Sequence, residues 1–140
     1  MIRLMYFDTD TGRLQDNGLI HLEQRIADKR YWLWLDLSAV SMMDEKALLH
    51  DRLGLSLAAV RGFQCLTGPM IEERSGHVLL RIHEPSGLEK AVTFTPQPLG
   101  FFFTRRLLIT RHEQPSACVD TLRSELLDLT SIVLLSLIHI

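Results

Sequence analysis

Only two cysteines occur in 140 residues, Cys65 and Cys118, and neither belongs to a CxxC pair or follows a secretory leader. Both thiols are therefore expected to be buried, in a reducing compartment, with no disulfide framework between them. Long apolar runs are missing as well. The most apolar stretch, residues 132–140, has about half of the ~20 residues that a helix needs to cross a bilayer, so these residues are not expected to span a membrane. No charge sign dominates: Lys and Arg total 15 against 17 Asp and Glu, a net charge of −2. Without a basic run to neutralise a phosphate backbone, nucleic acid is not an expected partner. Gly62 and Gly68 lack the spacing of a phosphate-cradling loop, and no Ser or Cys stands in a glycine-framed nucleophile elbow. There is no internal repeat.

What remains is the composition of a folded domain, with 46% hydrophobic and 23% charged residues. The length suits one compact unit. Residues 2–7 read as an edge strand, residues 8–18 as a polar turn, and residues 19–22 as a second short strand. Tyr31-Trp-Leu-Trp-Leu-Asp-Leu37 has no polar alternation and is too short for a typical helix. It reads as a central strand covered on both faces, which requires helices packed on a sheet. Ser41 is a helix cap with Asp44 three residues on, Leu48, Leu49 and Leu53 form the apolar side, and Gly54 is the stop. A second helix is expected from Ser56, turning Leu57, Val60 and Phe63 inward. Residues 70–76 read as an edge segment and turn, and strands are then expected at 77–84, 89–95, 99–103 and 107–111, with residues 85–87 and 104–106 as tight connections. Pro115 is expected in the first turn of a last helix whose stripe runs through Val119, Leu122, Leu126, Leu129, Val133 and Leu137. The fold class that follows is α/β (α+β mixed), an αβα sandwich with a central mixed, largely antiparallel sheet and a C-terminal helix.

Four passages in this order, Tyr31-Trp-Leu-Trp-Leu-Asp-Leu37, Leu53-Gly-Leu-Ser-Leu57, Gly68-Pro-Met-Ile-Glu-Glu73 and Leu99-Gly-Phe-Phe-Phe-Thr-Arg-Arg-Leu-Leu-Ile-Thr-Arg-His112, resemble the amino-terminal cytoplasmic domain of the CorA-like magnesium and cobalt transporters, whose zinc-handling branch is ZntB. The resemblance implies a regulatory domain over residues 1–129, at the cytoplasmic face of the inner membrane. It also implies a homo-oligomer, a pentamer in the full-length parent, with membrane contact only through C-terminal helices and their Gly-Met-Asn signature, which this sequence lacks. Residues 130–140 read as an apolar tail, either the start of a truncated stalk helix or a damaged end. Magnesium or another divalent cation is the implied ligand, weakly bound and regulatory, held by carboxylates between neighbouring copies. No enzymatic activity is implied. A small α/β enzyme and a cation-independent interaction module are the alternatives.

The carboxylates proposed for the cation are Glu72 and Glu73, beside a sheet edge, and Asp44 and Asp51, seven residues apart on one helix face. Alternation along a strand lets only one of Glu72 and Glu73 face a given site. Glu45 and Glu84 complete the acids expected at the surface. Asp36, near the end of a buried strand, needs hydrogen-bond donors and is expected to find them at the helix start near Ser38 to Ser41. Thr110 and His112 share a strand face that is expected to meet solvent, and they are where an enzyme would be sought. His77, His83 and His112 lack compact zinc-ligand spacing. Arg105, Arg106 and Arg111 are expected to be solvated, within reach of an acidic neighbour or lipid headgroups.

Overall fold

The computed structural model describes residues 1–17, 19–65, 70–74, 76–84 and 97–128. Its elements run β1 (Ile2–Asp8), β2 (Arg13–Asn17), a 3-10 turn (Leu19–His21), α1 (Leu22–Ala27), β3 (Tyr31–Ser38), α2 (Met42–Lys46) continuing into a π-helical turn (Ala47–Arg52), α3 (Leu57–Gln64), β4 (Met70–Arg74), β5 (His77–Glu84), β6 (Gln97–Phe103), β7 (Leu107–His112) and α4 (Ala117–Asp128). The strands form one sheet in the order β2-β1-β3-β7-β6-β5-β4. Every described pairing is antiparallel except that of β3 with β7. The expected mixed, largely antiparallel sheet with flanking helices and a C-terminal helix is the architecture observed.

The pleat divides the buried residues between two layers. Leu4 and Tyr6 of β1, Leu33, Leu35 and Leu37 of β3, and Leu107 and Ile109 of β7 face one side. There Leu22 of α1, Leu48 and Leu49 of the π turn, and Val60 and Phe63 of α3 cover them. Met5, Trp34 and the partly buried Leu108 face the other side, against Val119 and Leu122 of α4. β3 is thus covered on both faces, as its unbroken apolar run requires.

Several expectations change. β1 is an inner strand, because the segment read as a turn folds into β2 and takes the edge. Residues 19–27 are helical, not a strand, with Leu19, Leu22 and Ile26 at helical spacing and all in the core cluster. Leu57 is 39% exposed and does not turn inward, although Val60 and Phe63 do. Pro115 precedes the helix rather than joining its first turn; Ser116 is the cap, its Oγ accepting from the Val119 N–H at 3.1 Å. Cys65 and Cys118 are both exposed, not buried. The strand expected at 89–95, the connection at 85–87 and the helical stripe from Leu129 onward lie outside the described residues.

Helix caps were legible. The Ser41 hydroxyl accepts from the Asp44 N–H at 3.2 Å, and the Ser56 hydroxyl from the Ala59 N–H at 3.1 Å. The π turn ends at Gly54, whose φ of 75° lies in the left-handed region. A methyl group there would meet nothing within 4 Å, so the cost of Gly54→Ala is purely conformational. It is expected to destabilise the chain by about 1–2 kcal/mol, read from the urea midpoint at unchanged slope.

Candidate functional site

A buried polar cluster is built on the α4 side of the sheet, from alternate positions of two parallel strands. Asp36 of β3 lies in register with Thr110 of β7, and His112 follows two residues on. The Thr110 hydroxyl donates to Asp36 Oδ1 at 2.5 Å and receives the Trp34 indole N–H at 3.0 Å. His112 Nε2 lies 3.1 and 3.2 Å from the two Asp36 oxygens, and its Nδ1 lies 2.7 Å from the Gln114 carbonyl. From α4, Arg123 donates to Asp36 Oδ2 at 2.7 Å and to Asp120 Oδ1 at 3.1 Å. Its guanidinium lies 5.6 Å from the centre of the Trp34 ring. Asp36, Thr110, His112 and Arg123 are all buried.

The electrostatics follow from these contacts. Burial alone would push the Asp36 carboxyl up. The hydrogen bonds from His112 and Thr110, with the charges of His112 and Arg123, outweigh it and hold the group below its usual 3.8. The hydrogen bond to Asp36 raises the His112 imidazole above its usual 6.5 despite burial, helped by the Gln114 carbonyl and the charges of Asp36 and Asp120. Two expectations are corrected here. Asp36 finds its donors on β7 and α4, not at the start of α2, and the Thr110–His112 face is sealed rather than solvated.

A second ion pair lies on the opposite face. Glu45, read as a surface acid, is 1% exposed. Its Oε1 takes the Arg111 Nε–H at 2.6 Å and its Oε2 the Gln64 amide at 2.9 Å. Arg111 is therefore committed inside the protein rather than offered to an acidic neighbour or a lipid. Arg106 is likewise not a plain solvated tip, since it donates to the carbonyls of Asp28 and Ile26 at 2.8 and 3.4 Å, where α1 ends. That is the favourable place for a cation on a helix. Sequence reasoning also passed over Arg81, a buried guanidinium on β5 that donates to the Cys65 carbonyl and the Met70 sulfur.

The proposed cation ligands lie on β4 and on the helix of α2 and its π turn. Glu72 is half-buried and Glu73 exposed on β4, where they pair in register with Leu79 and Val78 on opposite faces of the edge strand. Asp44 and Asp51 are exposed. The helix between them widens into the π turn, so seven residues are no longer two whole turns. Glu84 closes β5, its side chain outside what the structure describes. His77 stacks on Phe102 at 4.8 Å, and His83 is exposed. No group of three or more His, Cys, Asp or Glu able to hold a metal ion occurs among the described residues.

Comparison with solved structures places this architecture. The chain superposes on full-length CmaX with a TM-score of 0.74 at 18% identity, covering 92% of this chain and 41% of that one. The fold is that of the CorA and ZntB domains. The soluble domain of CorA from Methanocaldococcus jannaschii matches with a TM-score of 0.62 at 18% identity, covering 87% of this chain and 45% of that one. The ZntB cytoplasmic domain from Vibrio parahaemolyticus RIMD 2210633 matches with 0.66 at 13%, covering 89% and 49%. The present chain spans less than half the length of each of these. No protein-family model and no curated protein matches the sequence. At such identities the likeness to CorA and ZntB is one of fold. Among the described residues no helix is long and apolar enough to cross a membrane.

Proposed function

We propose that this chain is a cytoplasmic regulatory domain of a divalent-cation transporter, lying at the inner face of the membrane in a homo-oligomer, with a pentamer as the working stoichiometry. The observation that carries the reading is the CorA and ZntB fold, which accounts for 86–92% of the chain in three of the matches, one of them the complete CorA magnesium transporter from Methanocaldococcus jannaschii. Residues 1–129 form the regulatory domain, and the apolar residues 130–140 come after it. The transport step itself belongs to helices other than those described.

The regulatory ligand is magnesium or a related divalent cation, bound weakly through oxygens. Because Glu72, Glu73, Asp44 and Asp51 do not converge within one copy, the cation is shared between copies. It offsets the repulsion of facing carboxylates and favours the closed arrangement only as far as it binds that arrangement better. An enzymatic role is disfavoured by the same geometry, because Asp36 and His112 are sealed beneath α4 with their hydrogen-bonding capacity committed to the fold.

Millimolar magnesium is expected to raise the melting temperature of the assembled full-length parent, while residues 1–140 alone respond weakly. At a tenfold excess over Kd the linkage gain is about 1.4 kcal/mol per site. Replacing Glu72 and Glu73 by Gln, and Asp44 and Asp51 by Asn, should remove most of that shift. An unchanged melting curve for the unmodified assembly, with and without magnesium, rejects the reading.

A further inference from the structure

His112 meets a hydrogen-bond acceptor at each ring nitrogen, the Gln114 carbonyl at Nδ1 and the Asp36 carboxylate at Nε2. Only the imidazolium, with a proton on both nitrogens, can donate to both. A neutral ring must present a lone pair to one of two oxygens already within contact. If the proton stays on Nδ1, the lone pair faces Asp36, the carboxylate that holds Arg123 of α4. If it stays on Nε2, the lone pair faces the carbonyl of Gln114, in the short connection that leads from β7 into α4. In either tautomer, the weakened contact is one that positions α4. The hydrogen bonds from Trp34 to Thr110 and from Thr110 to Asp36 join β3 to β7 and do not involve the helix.

Among the described residues, Val119 and Leu122 meet Met5, Trp34 and Leu108, a cluster smaller than the one on the opposite face of the sheet. Among the described residues, the charged and titratable groups around the cluster of His112 are Asp36 from β3, Arg3 from β1 in register beside Asp36, and, from α4, Arg123 with its partner Asp120; Thr110, Trp34 and the Gln114 carbonyl supply neutral polar contacts. Glu113, next in the chain, turns instead to Arg111 at 3.4 Å.

We propose that Asp36, His112 and Arg123 form a proton-dependent clasp that docks α4 on the sheet and releases it, with the sheet intact, when His112 loses its proton. The clasp is a property of this chain alone and stands or falls independently of cation sensing.

The test follows amide hydrogen exchange of residues 1–140 between pH 5.5 and 9, corrected for intrinsic rates. Protection across Ala117–Asp128 is expected to fall at least tenfold as pH rises, while β1, β3 and β7 change less than twofold. His112→Gln should make α4 protection independent of pH over this range. An imidazole NMR titration of the unmodified chain covers the case in which that variant fails to fold, and should place His112 deprotonation within one pH unit of α4 opening. A parallel loss of protection in α4 and the sheet, a pH-independent α4, or a His112 titration displaced from the opening would each overturn the clasp.

Discussion

Asp36→Ala is expected to cost about 3–5 kcal/mol, the range for leaving buried charges without their partner. One carboxylate serves as acceptor for the Thr110 hydroxyl, the His112 imidazole and the Arg123 guanidinium, all three buried. Removing it strands two cationic groups beside one another, with only the exposed Asp120 left to Arg123. Urea unfolding should show the loss as a lower midpoint, and the His112 titration should fall back toward its ordinary value. The pH dependence of the parent chain has two arms. The folded-state value of Asp36 is depressed, so its contribution is present above its usual 3.8 and lost as pH falls through the lower folded value. That of His112 is raised, so its contribution is complete below its usual 6.5 and lost as pH rises through the higher folded value. Asp36→Ala should flatten both arms. A variant that keeps the parent's profile and midpoint would show that the cluster contributes nothing net.

Glu45→Ala is the second large loss, again about 3–5 kcal/mol. The carboxylate of Glu45 binds Arg111 on β7 and Gln64 at the end of α3, and Gln64 also donates to the Met42 carbonyl at 3.1 Å, so one side chain joins α2, α3 and the sheet. Its removal leaves Arg111 with the exposed Glu113 at 3.4 Å. The double replacement Glu45→Leu with Arg111→Met removes both charges together and should recover most of the stability, because the penalty comes from orphaning the partner rather than from the intrinsic worth of the pair. A double-mutant cycle checks this. Losses that simply add in the double variant would mean that the two side chains act independently.

The two buried clusters also show where reading the sequence stopped short. Asp36 announced itself as an acid within an unbroken apolar strand, and its need for donors followed from burial alone. Which donors it uses did not follow, because Thr110, His112 and Arg123 lie 74 to 87 positions away. His112 and Thr110 were recognised as sharing a strand face, but whether that face was wet or dry depended on where α4 docked. The burial of Glu45 is hidden from the sequence for a related reason. A charged residue between Asp44 and Lys46 looks solvated until its helix phase is known, and Arg111 reaches it only because β7 pairs beside β3. The short α1 was missed because three apolar residues, Leu19, Leu22 and Ile26, are too few to separate helical spacing from a strand fragment.

Local chemistry determined the parts of this protein that depend on neighbours in the chain. The buried strand at Tyr31–Ser38, the serine caps at Ser41 and Ser56, the glycine stop at Gly54 and the β6–β7 hairpin all rest on steric preference, capping and hydrophobic burial acting over a few residues. Tertiary structure alone decided which strands lie at the edges, which acids are buried, and that Asp36 is shared among β3, β7 and α4. Those outcomes turn on long-range pairing and on which helix covers which face, and charge placement at that range is set by packing rather than by sequence spacing.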